Sequence, residues 1–136
     1  MNAELVERLR EICGADAVIV EEQKLNDARY DIHEIGCAPT IILRPTVADT
    51  LPNAIAEISR HRYAIAPRGG GLSYTAAYIP QSGRTVLIDT AALNRIIDIR
   101  PDDMTITVEC GVTWKQIYDA LAKHKLRLPF FGTFSG

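Results

Sequence analysis

The chain has 136 residues, 47% hydrophobic and 24% charged, with a formal net charge of -2. That length bounds one modest domain, able to bury roughly two-thirds of its unfolded surface, and the composition excludes disorder. The small net charge excludes a broadly polyanion-binding or nucleic-acid-binding surface, so any anion site must be local. Cys13, Cys37 and Cys110 are odd in number and widely spaced. They fit reduced thiols in a cytoplasmic protein better than a disulfide framework or a metal-binding pair. The charged, amphipathic start MNAELVERLREICGADA lacks the apolar region of a secretory signal. No apolar run approaches the ~18 residues of a membrane span.

Residues 3–13 read as a helix with Leu5, Val6, Leu9, Ile12 and Cys13 on one face and Gly14 as its stop. Ala17 to Val20 is a short strand candidate, and residues 21–38 read as irregular. Thr40 to Leu43 is a compact β-branched run, expected to be a buried strand. The next helix carries Val47, Leu51, Ala54, Ile55 and Ile58 on its stripe. It starts either at a Thr46 cap with Asp49 three residues on, or near Thr50, which would put Pro52 harmlessly in the first turn. Tyr63 to Ala66 is the next strand, and it runs into the glycine-rich stretch Pro67-Arg68-Gly69-Gly70-Gly71-Leu72-Ser73. A further strand follows at residues 85–89.

Arg95 to Ile99 and Met104 to Glu109 flank the turn Arg100-Pro101-Asp102-Asp103 and predict a hairpin. Thr113 and Gln116 form a capping box for a helix with Trp114, Ile117, Tyr118, Leu121 and Ala122 on its apolar face. Leu126 to Leu128 is expected to begin another strand. A domain rarely closes on a Gly/Ser/Thr loop with phenylalanines such as Phe130-Phe131-Gly132-Thr133-Phe134-Ser135-Gly136, so the chain is expected to be a fragment.

Three consecutive glycines after a strand let backbone approach a ligand closely, and successive N–H groups can form an anion nest. Ser73 adds a hydroxyl, and Arg68, with Arg60 and Arg62 close in sequence, adds positive charge. The spacing is not that of the dinucleotide fingerprint, and no Gly-Lys pair marks a P-loop. On local physics alone, a flexible surface turn fits the three glycines equally well.

The surroundings add a resemblance. Pro39-Thr40-Ile41-Ile42-Leu43-Arg44-Pro45-Thr46, Ala66 to Ser73, Val86-Leu87-Ile88-Asp89 through Leu93-Asn94-Arg95-Ile96, and Thr107 to Val112 stand in one order. Together they resemble the flavoprotein family of vanillyl-alcohol oxidase and p-cresol methylhydroxylase, which includes FAD-linked D-lactate and glycolate dehydrogenases. The resemblance implies that Pro67, Arg68, Gly69, Gly70, Gly71, Leu72 and Ser73 wrap the pyrophosphate of FAD. It also implies that Pro129, Gly132, Thr133 and Ser135 enter a second FAD loop. Some members attach FAD through a His directly after the glycines. Leu72 stands there, so non-covalent FAD is expected. Ala76 and Ala77 occupy positions where many members have a glycine.

The expected fold is α+β: a small mixed sheet with flanking helices, the first subdomain of a p-cresol-methylhydroxylase-type FAD-binding domain. Residues 1–36 form a helix and irregular lead-in, and residues 37–136 form the N-terminal, incomplete part of the FAD-binding domain. The implied function is FAD binding in an oxidoreductase that takes hydride from an alcohol or 2-hydroxy acid; a fragment alone would be inactive. The alternative is a non-catalytic phosphate-binding, nucleotide-binding or assembly module. The partner is a small hydroxy substrate, with no nucleic acid. No residue reads as a catalytic acid or base: Asp102 and Asp103 are turn residues, and no Ser/His/Asp set is visible. His33 and Cys37 lack a partner pair, so no metal is expected. Tyr74, Tyr78 and Trp114 read as packing residues more than cofactor-stacking ones.

Overall fold

The computed structural model describes residues 2–31, 34–72 and 75–130. Helix α1, Ala3–Cys13, forms as its pattern predicts. The Asn2 side chain accepts the Leu5 N–H, and Gly14 ends the helix at φ 94°. Strand β1, Val18–Ile19, follows. A short helix α2, Glu22–Asp27, then corrects the reading of 21–38 as wholly irregular. Strand β2 is Ile41–Leu43. Helix α3, Leu51–Arg60, starts after a 3-10 turn at Ala48–Thr50 with Pro52 in its first turn. The later of the two expected starts is therefore the one adopted, because proline there costs no intrahelical hydrogen bond.

Strands β3, Ala64–Arg68, and β4, Thr85–Asp89, complete a four-stranded sheet in the order β1-β2-β4-β3. β4 runs parallel to both β2 and β3, while β1 is antiparallel to β2. Such a mixed sheet matches the expected α+β class. β2 and β4 are buried along their whole lengths, which is why they read as unbroken apolar runs. β3 is an edge strand, and Pro67 sits in it without cost because its nitrogen faces away from β4.

The two faces of the sheet carry separate cores. On one, Leu5, Val6 and Leu9 of α1 and Ala54 and Ile58 of α3 pack on Ile41, Leu43, Val86 and Ile88. On the other, Leu25 of α2 and Ala28 just after it cover Ile42, Ala66 and Leu87. Burying residues such as Leu5, Leu9 and Ile58 completely stabilises the fold by about 2 kcal/mol each.

Strands β5, Ile96–Arg100, and β6, Thr105–Val108, form the expected antiparallel hairpin. It is tied down by buried Glu109, which accepts from Arg95 N (2.8 Å), Nε (3.0 Å) and Nη2 (2.7 Å). Gly111 passes so close to the 90–93 turn that a Cβ would strike the Thr90 carbonyl oxygen and lie 2.7 Å from Leu93 O. Helix α4, Trp114–Ala122, opens on the predicted capping box. Its expected apolar stripe is only half buried: Ile117 and Leu121 are covered, whereas Tyr118 and Ala122 are exposed. Leu126 to Leu128 is not a strand: it lines a groove with Thr105 and Ile106 of β6 and pairs with no described strand. No helix among the described residues is long and apolar enough to cross a membrane.

Candidate functional site

The sheet sends β3 and β4 to the same end, and the glycine stretch leaves β3 there. Both Thr90 N–H (3.0 Å) and Thr90 Oγ1 (3.2 Å) donate to the Arg68 carbonyl. A trans peptide points its C=O and N–H in opposite directions. Holding Arg68 O toward β4 therefore turns the Gly69 N–H away from the sheet. The N–H groups of Gly69, Gly70, Gly71 and Leu72 donate to no described residue.

The three glycines have different reasons for being glycine. Gly71 takes φ 72°, and a Cβ on it would sit 2.6 Å from the Arg68 guanidinium. That is a conformational demand. Gly69 and Gly70 have no positive φ, and a Cβ on either would meet no described heavy atom within 4 Å. Nothing described in the fold needs glycine at these two positions, so the open space beside them suits an occupant from outside.

Arg68 is half-buried, its guanidinium 5.3 Å from the centre of the Tyr78 ring, and no described carboxylate pairs with it. Arg60 and Arg62 do not join it. Arg60 pairs with Glu57 on α3, and Arg62 lies before the start of β3. A five-residue strand, about 16 Å long, separates them from the loop. The expectation that they support the loop is therefore corrected.

Other residues, none of them expected at the site from the sequence, join Arg68 at this end. A cleft of about 310 Å³ between α2 and the strand ends is lined by Lys24, Asp27, Arg44, Arg68 and Asp89. Asp89 is occupied structurally. Its Oδ2 accepts from Arg44 Nε (3.0 Å) and Nη2 (2.8 Å), and its Oδ1 accepts the Ala91 N–H at 3.0 Å. The signal that could have found this cluster is strand alternation: Arg44, Arg68 and Asp89 each follow a core residue by two positions, on the same face as Ile42, Ala66 and Leu87.

Tyr78 is buried. Its hydroxyl lies 2.6 Å from Gly71 O and 2.7 Å from Asp31 Oδ1. Burial, with the Asp31 carboxylate as the next cause, pushes its phenol up to about 12.

Leu72 is 53% exposed beside the glycines. Of the remaining expected site residues, Ser73, Gly132, Thr133 and Ser135 lie outside the described residues, as do His33 and Tyr74. Pro129 lines a different groove, of about 510 Å³, with Met104, Ile106, Leu121 and Leu128. Trp114 is half-buried and its ring packs tilted against Phe130, the centroids 5.8 Å apart. His61 is structural, its Nε2 3.2 Å from Glu57 Oε1 and its Nδ1 3.0 Å from Asn2 Nδ2. No group of three or more potential metal ligands occurs among the described residues.

A mixed α+β sheet whose edge strand opens into a glycine loop, with donors that pair with no described residue, an arginine that pairs with no described carboxylate and room alongside, defines a domain that binds a phosphorylated nucleotide cofactor. The chain belongs to the FAD binding domain family, which matches residues 39–135. It is 28% identical over 126 residues to the 4-cresol dehydrogenase [hydroxylating] flavoprotein subunit of Pseudomonas putida, covering 89% of this chain and 24% of the relative. It is 26% identical over 105 residues to the mitochondrial D-lactate dehydrogenase [cytochrome] of Kluyveromyces lactis, covering 74% of this chain and 18% of the relative. Among solved structures, p-cresol methylhydroxylase with substrate bound superposes with a TM-score of 0.79 at 26% identity, over 90% of this chain and 25% of that one. The chain thus spans about a fifth to a quarter of the length of these relatives.

Proposed function

We propose that the glycine loop holds the pyrophosphate of a non-covalent FAD, and that the chain serves an oxidoreductase taking hydride from an alcohol or 2-hydroxy acid. The observation that supports the cofactor reading best is the set of N–H groups from Gly69 to Leu72. None donates to a described residue, and two of the glycines have no positive φ and meet no described atom that would demand glycine. A diphosphate supplies what these groups lack, since hydrogen bonds to a charged acceptor are about twice as strong as neutral ones. Arg68 adds a cation that no described carboxylate neutralises. Ser73, and Pro129, Gly132, Thr133 and Ser135 of the second expected loop, complete the binding set on this reading, with residues 37–136 as the N-terminal part of the FAD-binding domain.

When bound, FAD would supply the hydride acceptor. The residues of this chain bind and orient it, and none of those described stands as the substrate's acid or base. Leu72 offers no nucleophile for a covalent link, which supports a reversible attachment. The substrate class rests on relatives named for a cresol and for D-lactate.

The test uses the purified gene product loaded with FAD. Acid precipitation should leave all flavin in the supernatant. Anaerobic mixing with a panel of phenolic alcohols and 2-hydroxy acids should bleach the flavin with at least one member. Flavin that stays with the precipitate would overturn the non-covalent reading, and a panel without any bleaching would overturn the substrate class.

A further inference from the structure

We propose that Tyr78 is the positioning residue of the glycine loop: its hydroxyl pins the Gly71 carbonyl inward and its ring holds the Arg68 guanidinium, so that backbone donors and cation face one diphosphate. The inference rests on the cofactor reading above and adds to it a residue seven positions beyond the glycines.

The hydroxyl reaches Gly71 O at 2.6 Å. With that carbonyl held toward Tyr78, the Leu72 N–H of the same peptide points the opposite way. Arg68 O, held by Thr90, does the same for the Gly69 N–H at the other end of the loop. Both ends of the glycine run are thus clamped by their carbonyls, and their donors are left outward, as an anion nest requires. The ring does a second task, since the guanidinium of Arg68 lies 5.3 Å from its centre, a distance at which cation and ring attract.

Tyr78 is itself rigidly placed. Its side chain is buried, and Asp31 Oδ1 holds the hydroxyl at 2.7 Å. A phenol has one proton, so Asp31 and Gly71 divide it between them. The next residues wedge against the segment that carries Asp31. A Cβ on Gly36 would strike Ile79 Cγ2 and lie 2.7 Å from Pro80 O, and the Cys37 N–H donates to Pro80 O at 2.9 Å. With its phenol pushed up to about 12, Tyr78 keeps its proton, and with it the donor to Gly71, throughout the neutral range.

The test compares the wild-type gene product with Tyr78→Phe, titrating each, stripped of flavin, with FAD and with inorganic pyrophosphate. Phenylalanine keeps the ring and the packing and removes only the hydroxyl. The expected result is a loss of about tenfold in affinity for both ligands, equal in size, with the thermal midpoint of the ligand-free protein unmoved. A purely structural tyrosine would lower the midpoint and leave the pyrophosphate affinity alone, and that result overturns the proposal, as do equal affinities in both proteins. If wild type takes pyrophosphate but no FAD, the cofactor reading falls and the pyrophosphate arm alone decides on Tyr78. If wild type takes neither, both fall. Should loss of the hydroxyl beside Asp31 unfold Tyr78→Phe, Asp31→Asn/Tyr78→Phe is read in the same way, and a failure of that variant to fold also overturns the positioning role.

Discussion

Gly70→Val separates a glycine kept for the fold from one kept for a ligand. Gly70 has no positive φ, and its Cβ direction meets no described atom within 4 Å. The folding cost of valine there is that of an open surface position, within about 0.5 kcal/mol, so the thermal midpoint should move by no more than about 4 °C. The isopropyl group would fill the space where a phosphate must approach the Gly70 and Gly71 N–H groups. Losing two hydrogen bonds to a charged acceptor, at about 1.5–3 kcal/mol each, weakens FAD by at least a hundredfold, since about 1.4 kcal/mol is one decade. The assay pairs a thermal melt of the flavin-free protein with an FAD titration. Gly71→Val is the contrast: at φ 72° and 2.6 Å from Arg68, it should lower the melting midpoint itself. A Gly70→Val protein that keeps its flavin would show that no phosphate approaches Gly70, and one that fails to fold would show that glycine serves the fold there.

Further outcomes follow from other parts of the molecule. Gly111→Ala should destabilise the fold by about 3 kcal/mol in chemical denaturation, because the added methyl meets the Thr90 and Leu93 carbonyl oxygens, which are backbone and cannot turn aside. Absorbance at 295 nm should show one of the five tyrosines staying protonated until about pH 12, absent in Tyr78→Phe. Because burial is the main reason folding raises that phenol from its usual 10, ionising it costs the folded state, so stability is level below pH 10 and falls as pH rises toward 12. Glu109 moves the other way. The Arg95 guanidinium and N–H hold its carboxyl below the usual 4.5, so its contribution is present above pH 4.5 and is lost on acidification through the lower folded value. Glu109→Gln should therefore be less stable than wild type at pH 7 in urea denaturation, with the gap narrowing below pH 4.5.

The central strands were legible because β2 and β4 are buried on both faces and so carry unbroken apolar runs. α4 was legible because Thr113 and Gln116 spell out its cap. Pro52 marked the start of α3 once its place in a first turn was weighed. α2 was not legible: Leu25 is the one large apolar residue in Glu22–Asp27, and no side chain caps the helix. Its order comes from packing beside Ile42 and Leu87, which no local pattern records. Leu126 to Leu128 fails in the opposite sense, since a short apolar run becomes a strand only when it pairs, and this one pairs with no described strand. At the site, the three glycines stood out in sequence, but the division between Gly71 and its two neighbours did not, because it depends on φ and on where Arg68 folds back. Arg60 and Arg62 are near the loop in sequence but not in space, because β3 carries the chain away from them. Tyr78 and Arg44 reach the loop end only through tertiary structure.

The most direct test of the account is the visible absorption spectrum of the gene product purified without added cofactor, then again after incubation with FAD and removal of the excess. Flavin bands that survive the removal and are released on denaturation are the result the account predicts. A protein that stays colourless after incubation with FAD would contradict it, and would leave Gly69, Gly70 and Gly71 as an ordinary surface turn.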